Sequence, residues 1–267
     1  MELISLSAMD LGISAILILL LALLSNRLHL GIGNRMLIAA TRSVVQLLLL
    51  GMVLKLLFAQ SDPLLIGFVT LIMLTVAGYE VMARQKHRYT GGWSYGIGTV
   101  SMLISSFSVT LLALHVIIRI EPWYTPQYLI PLLGMLLGNT MSGVAISLDN
   151  LSKSAWQKRG EIEAHLLLGR HYQEAIRDIR RDALRSGMIP IINTMSVAGI
   201  VSLPGMMTGQ ILGGTPPLEA AKYQILILLL IAFGTGLGSI SAVYIGSARL
   251  FDERQRLRLD RLTTAKD

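Results

Sequence analysis

Two polar steps interrupt otherwise apolar runs of this chain: Asn139, Thr140 and Ser142 in one, and Asn193 and Thr194 beside Met195 in another. Amide and hydroxyl groups at membrane depth are costly, so each step implies interhelical hydrogen bonding or the lining of a pathway. Arg42 and Gln46 stand one helical turn apart in a third run, and Glu80 lies near the end of a fourth, where it could pair with Arg42. Pro204-Gly205, followed by Met206, Met207 and Gln210, predicts a helix end or break. Backbone carbonyls freed at such a break are tolerated only inside protein or along a wet cavity, which is where membrane proteins handle ions. A turn at the outer surface followed by a re-entrant loop is the alternative there. The chemistry on offer is weak oxygen coordination, because no nucleophile and base fall into register. There are no cysteines, the five histidines have no metal-ligand spacing, and the 13 methionines read as core filler before soft-metal ligands. No metal-ligand set is identified.

The elements that position these groups follow from composition. Hydrophobic residues make up 53% of the 267, charged residues 15%, and the mean hydropathy is +0.61. The apolar runs approach the roughly 20 residues that a helix needs to cross a bilayer. Seven spans are predicted, at residues 11–25, 36–59, 64–82, 97–118, 129–148, 188–207 and 223–245, the first borrowing from residues 3–9. The fold class is all-α: a polytopic membrane protein with one transmembrane domain over residues 1–267 and an amphipathic region between the fifth and sixth spans. Gly134, Gly138, Gly143, Gly234, Gly236 and Gly238 are spaced for close helix packing.

Charge sets the orientation. Residues 1–10 hold Glu2 and Asp10 but no Lys or Arg, which suits a first span with its N-terminus outside better than a cleaved signal peptide. In that topology 19 of the 23 Lys and Arg fall in cytoplasmic segments, including a basic tail over residues 248–267. The net charge of +7 therefore argues for membrane orientation, with no nucleic-acid partner.

The longest connector, residues 149–187, is the most informative. Ile162, Leu166, Tyr172, Ile176, Ile179 and Ala183 recur at helical spacing, which predicts one apolar stripe and a dockable helix. Glu163-Ala164, with Gly169 six residues after the glutamate and Arg170 next, resembles the EAA–Gly loop that ABC importer permeases insert into their ATPase. His165 replaces the second alanine of that pattern, and no Ile-x-Leu-Pro follows. An interfacial helix lying on anionic lipid is the equal alternative. No Gly-x-x-x-x-Gly-Lys-Ser/Thr loop occurs, so if ATP drives the protein it is bound and hydrolysed by another subunit.

Longer strings carry a family resemblance. Thr41-Arg42-Ser43-Val44-Val45-Gln46-Leu47, the run from Gly138-Asn139-Thr140 to Ser147-Leu148, Pro190-Ile191-Ile192-Asn193-Thr194-Met195 and the run from Leu203-Pro204-Gly205 to Gly213-Gly214 resemble the FetB family over nearly the whole chain. These are bacterial ABC permeases linked to iron export, related to plant half-transporter subunits involved in aluminium tolerance. The resemblance implies a multi-pass permease subunit of the bacterial inner membrane, paired with itself and with an ABC ATPase, binding no cofactor of its own and exporting iron. Iron poses a chemical difficulty, because the spans hold almost no carboxylate beyond Glu80. Either amides, hydroxyls and carbonyls bind it weakly, or the cargo is a neutral or chelated species. An ion-coupled transporter or channel without an ATPase, an ABC permease for another substrate and a membrane scaffold are the rivals.

Overall fold

The computed structural model describes residues 7–60 and 62–264, most of them helical. The chain divides into two compact units, residues 1–62 with 212–214, and residues 63–211 with 215–267. The part of the first span expected over residues 3–6, Glu2 and the tail end at 265–267 lie outside the described residues.

The first unit is a helical pair. Helix α1 (Ala8–Arg27) starts at Ser7, whose hydroxyl accepts the Asp10 N–H while the Asp10 carboxylate accepts the Ser7 N–H at 2.8 Å, a reciprocal cap. The chain reverses through Gly31 at φ +67° into α2 (Gly33–Gln60). A Cβ at Gly33 would lie 3.0 Å from the Ala22 carbonyl oxygen, so the two helices start in close contact.

The second unit is a bundle around one long helix. Helix α3 (Pro63–Ala83) leads through strand β1 (His87–Tyr89) into a helical stretch, Trp93–Ile118, that changes pitch twice. It runs as α4 (Trp93–Met102), a π turn at Leu103–Phe107, α5 (Ser108–Leu112) and a second π turn at Ala113–Ile118. Helix α6 (Pro126–Gln157) is the hub and packs on α3, α9 and α11. Leu133, Leu136, Leu137, Thr140, Val144, Leu148, Leu151 and Ala155 recur every three or four residues along it and are all buried. Then come α7 (Arg159–Leu167), α8 (Tyr172–Ala175), α9 (Arg177–Val197), α10 (Gly205–Leu212), α11 (Pro217–Arg249) and β2 (Leu262–Thr264).

Two expectations change. The sixth predicted span, 188–207, is not one helix. Its apolar residues share α9 with the charged turns from Arg177 to Arg185, and that helix stops at Val197. Gly199, at φ +80°, turns the chain, and Pro204-Gly205 opens α10 instead of ending a helix, because proline is tolerated where a helix begins. Six described helical segments are long and apolar enough to cross a membrane, and α9 is not among them. The second change concerns the apolar stripe of 150–187. Ile162, Ile176, Ile179 and Ala183 are buried in the same core as Leu151, Ala155, Leu250 and Phe251, so the stripe anchors the segment to its own bundle and offers no docking face. Periodicity reports that a face is covered, not by what.

Antiparallel pairing of β1 with β2 puts His87 opposite Thr264 and Tyr89 opposite Leu262. The Tyr89 hydroxyl donates to the Gly246 carbonyl at 3.1 Å, and burial pushes its pKa up. Lys86 N–H donates to Asp149 Oδ1 at 2.7 Å, and His87 stacks on Trp156. The basic connectors 84–92 and 149–176 and the tail 250–264 thus meet at one end of this unit.

Candidate functional site

At that basic end a groove of about 590 Å³ lies between α7 and the tail. Glu163, Leu167, Gly169 and Arg170 line one side, and Arg254, Arg256 and Leu257 the other. Gly169 has φ +80°, a conformation glycine adopts without strain, and it turns the chain out of α7 so that the Arg170 N–H reaches the His165 carbonyl at 3.1 Å. The tail wall is organised by Asp252, whose side chain is only 11% exposed. Its Oδ1 accepts the backbone N–H groups of Arg254 at 3.0 Å and Arg256 at 2.9 Å, and its Oδ2 accepts Arg256 Nε at 2.8 Å. Those bonds, first among them the Arg256 backbone N–H, hold the Asp252 carboxyl below its ordinary range. Gln255 then accepts the Tyr172 N–H at 3.1 Å, tying the hairpin to α8. Beside the groove Leu167 is 89% exposed and Leu168 is 77% exposed. Of the four residues singled out for coupling, Glu163, Gly169 and Arg170 line the groove, and Ala164 is exposed on α7. The contribution of Arg254–Leu257 was missed, because a basic tail signals orientation but not which connector it folds against.

Inside the bundle lies a seam of small and hydroxylated residues. A Cβ at Gly143 would meet Thr235 Cγ2 and the Gly187 carbonyl, and one at Gly238 would meet Thr140 Cγ2 at 2.6 Å and Ser105 Oγ at 2.8 Å. The hydroxyls of Ser101, Ser106, Thr140, Ser147, Thr235 and Ser239 are buried with no hydrogen-bond partner. Each unpaired hydroxyl costs about 1–3 kcal/mol, so the seam sacrifices stability for backbone proximity and for polarity in an apolar setting. The π turn at Leu103–Phe107 carries Ser105 to this seam, and such turns are frequent at functional sites. Serines four apart, Ser101 and Ser105, and glycines four apart, Gly234 and Gly238, were the available sequence signal.

The predicted pathway residues are divided among these surroundings. Thr140 faces the seam, while Asn139 is exposed and donates to the Met135 carbonyl at 2.8 Å. Ser142 Oγ lies 3.3 Å from Arg84 Nη1 in a cavity of about 460 Å³, also at the basic end, with Asp149, Asn150, Lys153 and Pro190 in its wall. Asn193 and Thr194 are exposed, as is Met195 at 39%, and Thr194 Oγ1 donates to the Pro190 carbonyl at 2.9 Å. Gly205, Met206, Met207 and Gln210 sit on α10, with Pro204 just before it, and Gln210 Oε1 is buried without a partner. Arg42 and Gln46 are exposed on α2 of the first unit, and Glu80 is half-buried on α3 of the second. Among the described residues no three His, Cys, Asp or Glu side chains gather as a metal site.

The profile of the uncharacterised protein family UPF0014 matches residues 8–251. The UPF0014 membrane protein slr1647 of Synechocystis sp. is 39% identical over 228 residues, 85% of this chain and 87% of that protein. The Arabidopsis thaliana protein ALUMINUM SENSITIVE 3 is 30% identical over 91% of this chain and 87% of its own length. The Escherichia coli protein named probable iron export permease protein FetB is 29% identical over 95% of each chain. No solved structure matches. The profile match over most of the chain, with relatives of the same family at up to 39% identity, establishes that this polytopic, all-helical chain belongs to the UPF0014 family of membrane proteins.

Proposed function

We propose that this chain is the membrane-spanning subunit of an ABC exporter, driven by a separately encoded ATPase and moving iron out of the cytoplasm. The observation that carries the reading is the groove between α7 and the Asp252–Arg256 hairpin, with Leu167 and Leu168 bare beside it. Two exposed leucines flanked by Arg170 and Arg254 suit a protein partner, since they form an apolar anchor within a polar rim. The lack of a phosphate-binding loop requires that any ATPase be another polypeptide. Iron and export come from the printed name of the Escherichia coli relative.

In this reading the basic end faces the cytoplasm of a bacterial inner membrane, with the N-terminus outside, and two copies assemble with two ATPases. ATP binds to the ATPases alone. Helix α9 supplies the transmission. It begins one residue after the buried Ile176 in the coupling segment and runs 21 residues, roughly 30 Å, past the Gly143–Gly187 crossing with α6. A partner that displaces α7 and α8 therefore moves α9 against the hydroxyl seam with no flexible joint between. Thr140, Ser142 and Asn193 then stand on the two helices of that crossing as gating positions, with Gly205 and Gln210 of α10 as further candidates.

The test is co-purification with the ATPase encoded beside the permease gene. Leu167→Asp with Leu168→Asp should leave membrane insertion and melting temperature unchanged, because both side chains already face solvent, and weaken ATPase association by about tenfold or more. Undiminished association in that double variant would refute the groove as the coupling surface. Cargo transport by the permease without nucleotide would refute the exporter.

A further inference from the structure

The second basic-end cavity bears on what the cargo is. Ser142, Ile146, Asp149, Asn150 and Lys153 fall on one face of α6 and supply one wall, Arg84 reaches in from the exit of α3, and Pro190 comes from α9. At about 460 Å³ the space lies within the roughly 300–1,000 Å³ of small-molecule sites and far exceeds what a desolvated metal ion needs. Its charged lining is Arg84, Lys153 and Asp149, and one Asp149 oxygen already accepts the Lys86 N–H at 2.7 Å. Two cations against one engaged carboxylate repel a bare metal cation and attract an anion. Arg84 Nη1 donates to Ser142 Oγ at 3.3 Å, Ser142 Oγ donates to the Gly138 carbonyl at 3.2 Å, and the Asn150 amide donates to Ser186 Oγ at 3.2 Å, which leaves Arg84, Lys153 and the second Asn150 N–H to meet an anion. Guanidinium and ammonium groups on opposite elements are the pattern that recognises carboxylate and phosphate. The spans offer no cluster of carboxylates or histidines for naked iron among the described residues.

We infer that this cavity is the cargo entry site and that it takes an oxyanion-bearing molecule, a polycarboxylate or a phosphate species, with iron travelling as the complex of such an anion. This rests on the exporter reading and narrows its substrate. Arg84 and Lys153 neutralise the anion, Ser142 holds the Arg84 guanidinium, the second Asn150 N–H orients the anion, and the break in α9 hydrogen bonding at Pro190 gives the wall a place to bend.

The experiment is calorimetric titration of the full chain in phosphatidylcholine nanodiscs with citrate, ferric citrate, pyrophosphate and Mn²⁺ alone. At least one of the three anions should bind, and Mn²⁺ should not. Arg84→Ala and Lys153→Ala should each weaken the anion by about tenfold, the loss of one charge-assisted contact, and Arg84→Lys should recover part of the first loss. Melting temperature and ATPase co-purification, read on the same variants, should not change, since neither residue lines the groove. Anion binding that persists while ATPase association is absent would sink the exporter reading and leave the site standing. Mn²⁺ binding more tightly than every anion, no binding at all, or full affinity in the Arg84→Ala, Lys153→Ala double variant would overturn the site. Loss of citrate binding on exchange of phosphatidylcholine for phosphatidylglycerol would assign the cavity to a lipid headgroup and overturn it as well.

Discussion

Replacing Gly187 by alanine tests the crossing through which α9 is held to α6. The new methyl would lie against Ser147 Oγ and 2.6 Å from the Gly143 carbonyl oxygen. Carbon and oxygen make ordinary contact no closer than about 3.3 Å, so something must move. Ser147 can rotate, but the Gly143 carbonyl belongs to the backbone of α6. It cannot recede freely, because Gly143 is itself close to Thr235 and Ser239 of α11. Overpacking of a core costs about 1–3 kcal/mol, and an immovable backbone neighbour points to about 2–3 kcal/mol, or roughly 5–10 °C in melting temperature for a chain of this size. Ser147→Ala alone should be neutral or stabilising by up to about 1 kcal/mol, because the hydroxyl it removes is buried and unpaired. The double variant should recover about 1 kcal/mol of the alanine penalty beyond whatever Ser147→Ala contributes alone, leaving the clash with the carbonyl. Thermal melts of detergent-solubilised protein, followed by size-exclusion fluorescence, supply all four corners of the cycle. If Gly187→Ala melts with the wild type, or the two changes simply add, the packing of this seam is not as described.

The other expectations are narrower. Thr235→Val removes a buried hydroxyl without a partner at constant shape, so melting temperature should hold or rise, by up to about 2 kcal/mol of stability. Tyr89→Phe deletes the bond to the Gly246 carbonyl and should lower stability by about 1 kcal/mol in the same melts. The Asp252 carboxyl titrates below its ordinary 3.8, so its stabilisation of the hairpin is complete above that pH and is lost as pH falls through the lower native value. Protection of the Arg254 and Arg256 amides against hydrogen exchange, taken relative to the intrinsic rate at each pH, should fall only below about pH 4 in the wild type, and already at neutral pH in Asp252→Asn. Protection that is flat with pH in the wild type would remove Asp252 as the organiser.

The long apolar helices were legible because hydrophobicity over some 20 residues needs no knowledge of neighbours. Residues 129–148 appear inside α6 and 223–245 inside α11. Both helices extend past those bounds: α6 runs on through Leu151, Ser152 and Ala155, which protein buries, and α11 begins with the exposed Leu218, Glu219 and Lys222. The sixth span failed for the converse reason: apolar Ile189, Ile191 and Ile192 follow a charged stretch without a break, and only tertiary packing decides that one helix carries both. Spacing also identified Glu163, Gly169 and Arg170 near one another, but not the tail hairpin across from them, because contacts some 85 residues apart leave no local pattern. The orphan hydroxyls were visible as residues and invisible as a group. Serine and threonine in a helix usually bond the preceding turn, and only the coordinates separate Ser105, which does, from Ser106, which does not.

The pairing of Leu262–Thr264 with His87–Tyr89 has a consequence for biogenesis. The loop at residues 87–89 waits, with an open edge, for a strand made some 175 residues later. Until then the Asp252 hairpin has no β2 strand behind it to fix its position, and one wall of the α7 groove is missing. Products that stop before β2 therefore lack a finished groove, and under the proposed exporter reading an ATPase engages only chains that carry that strand.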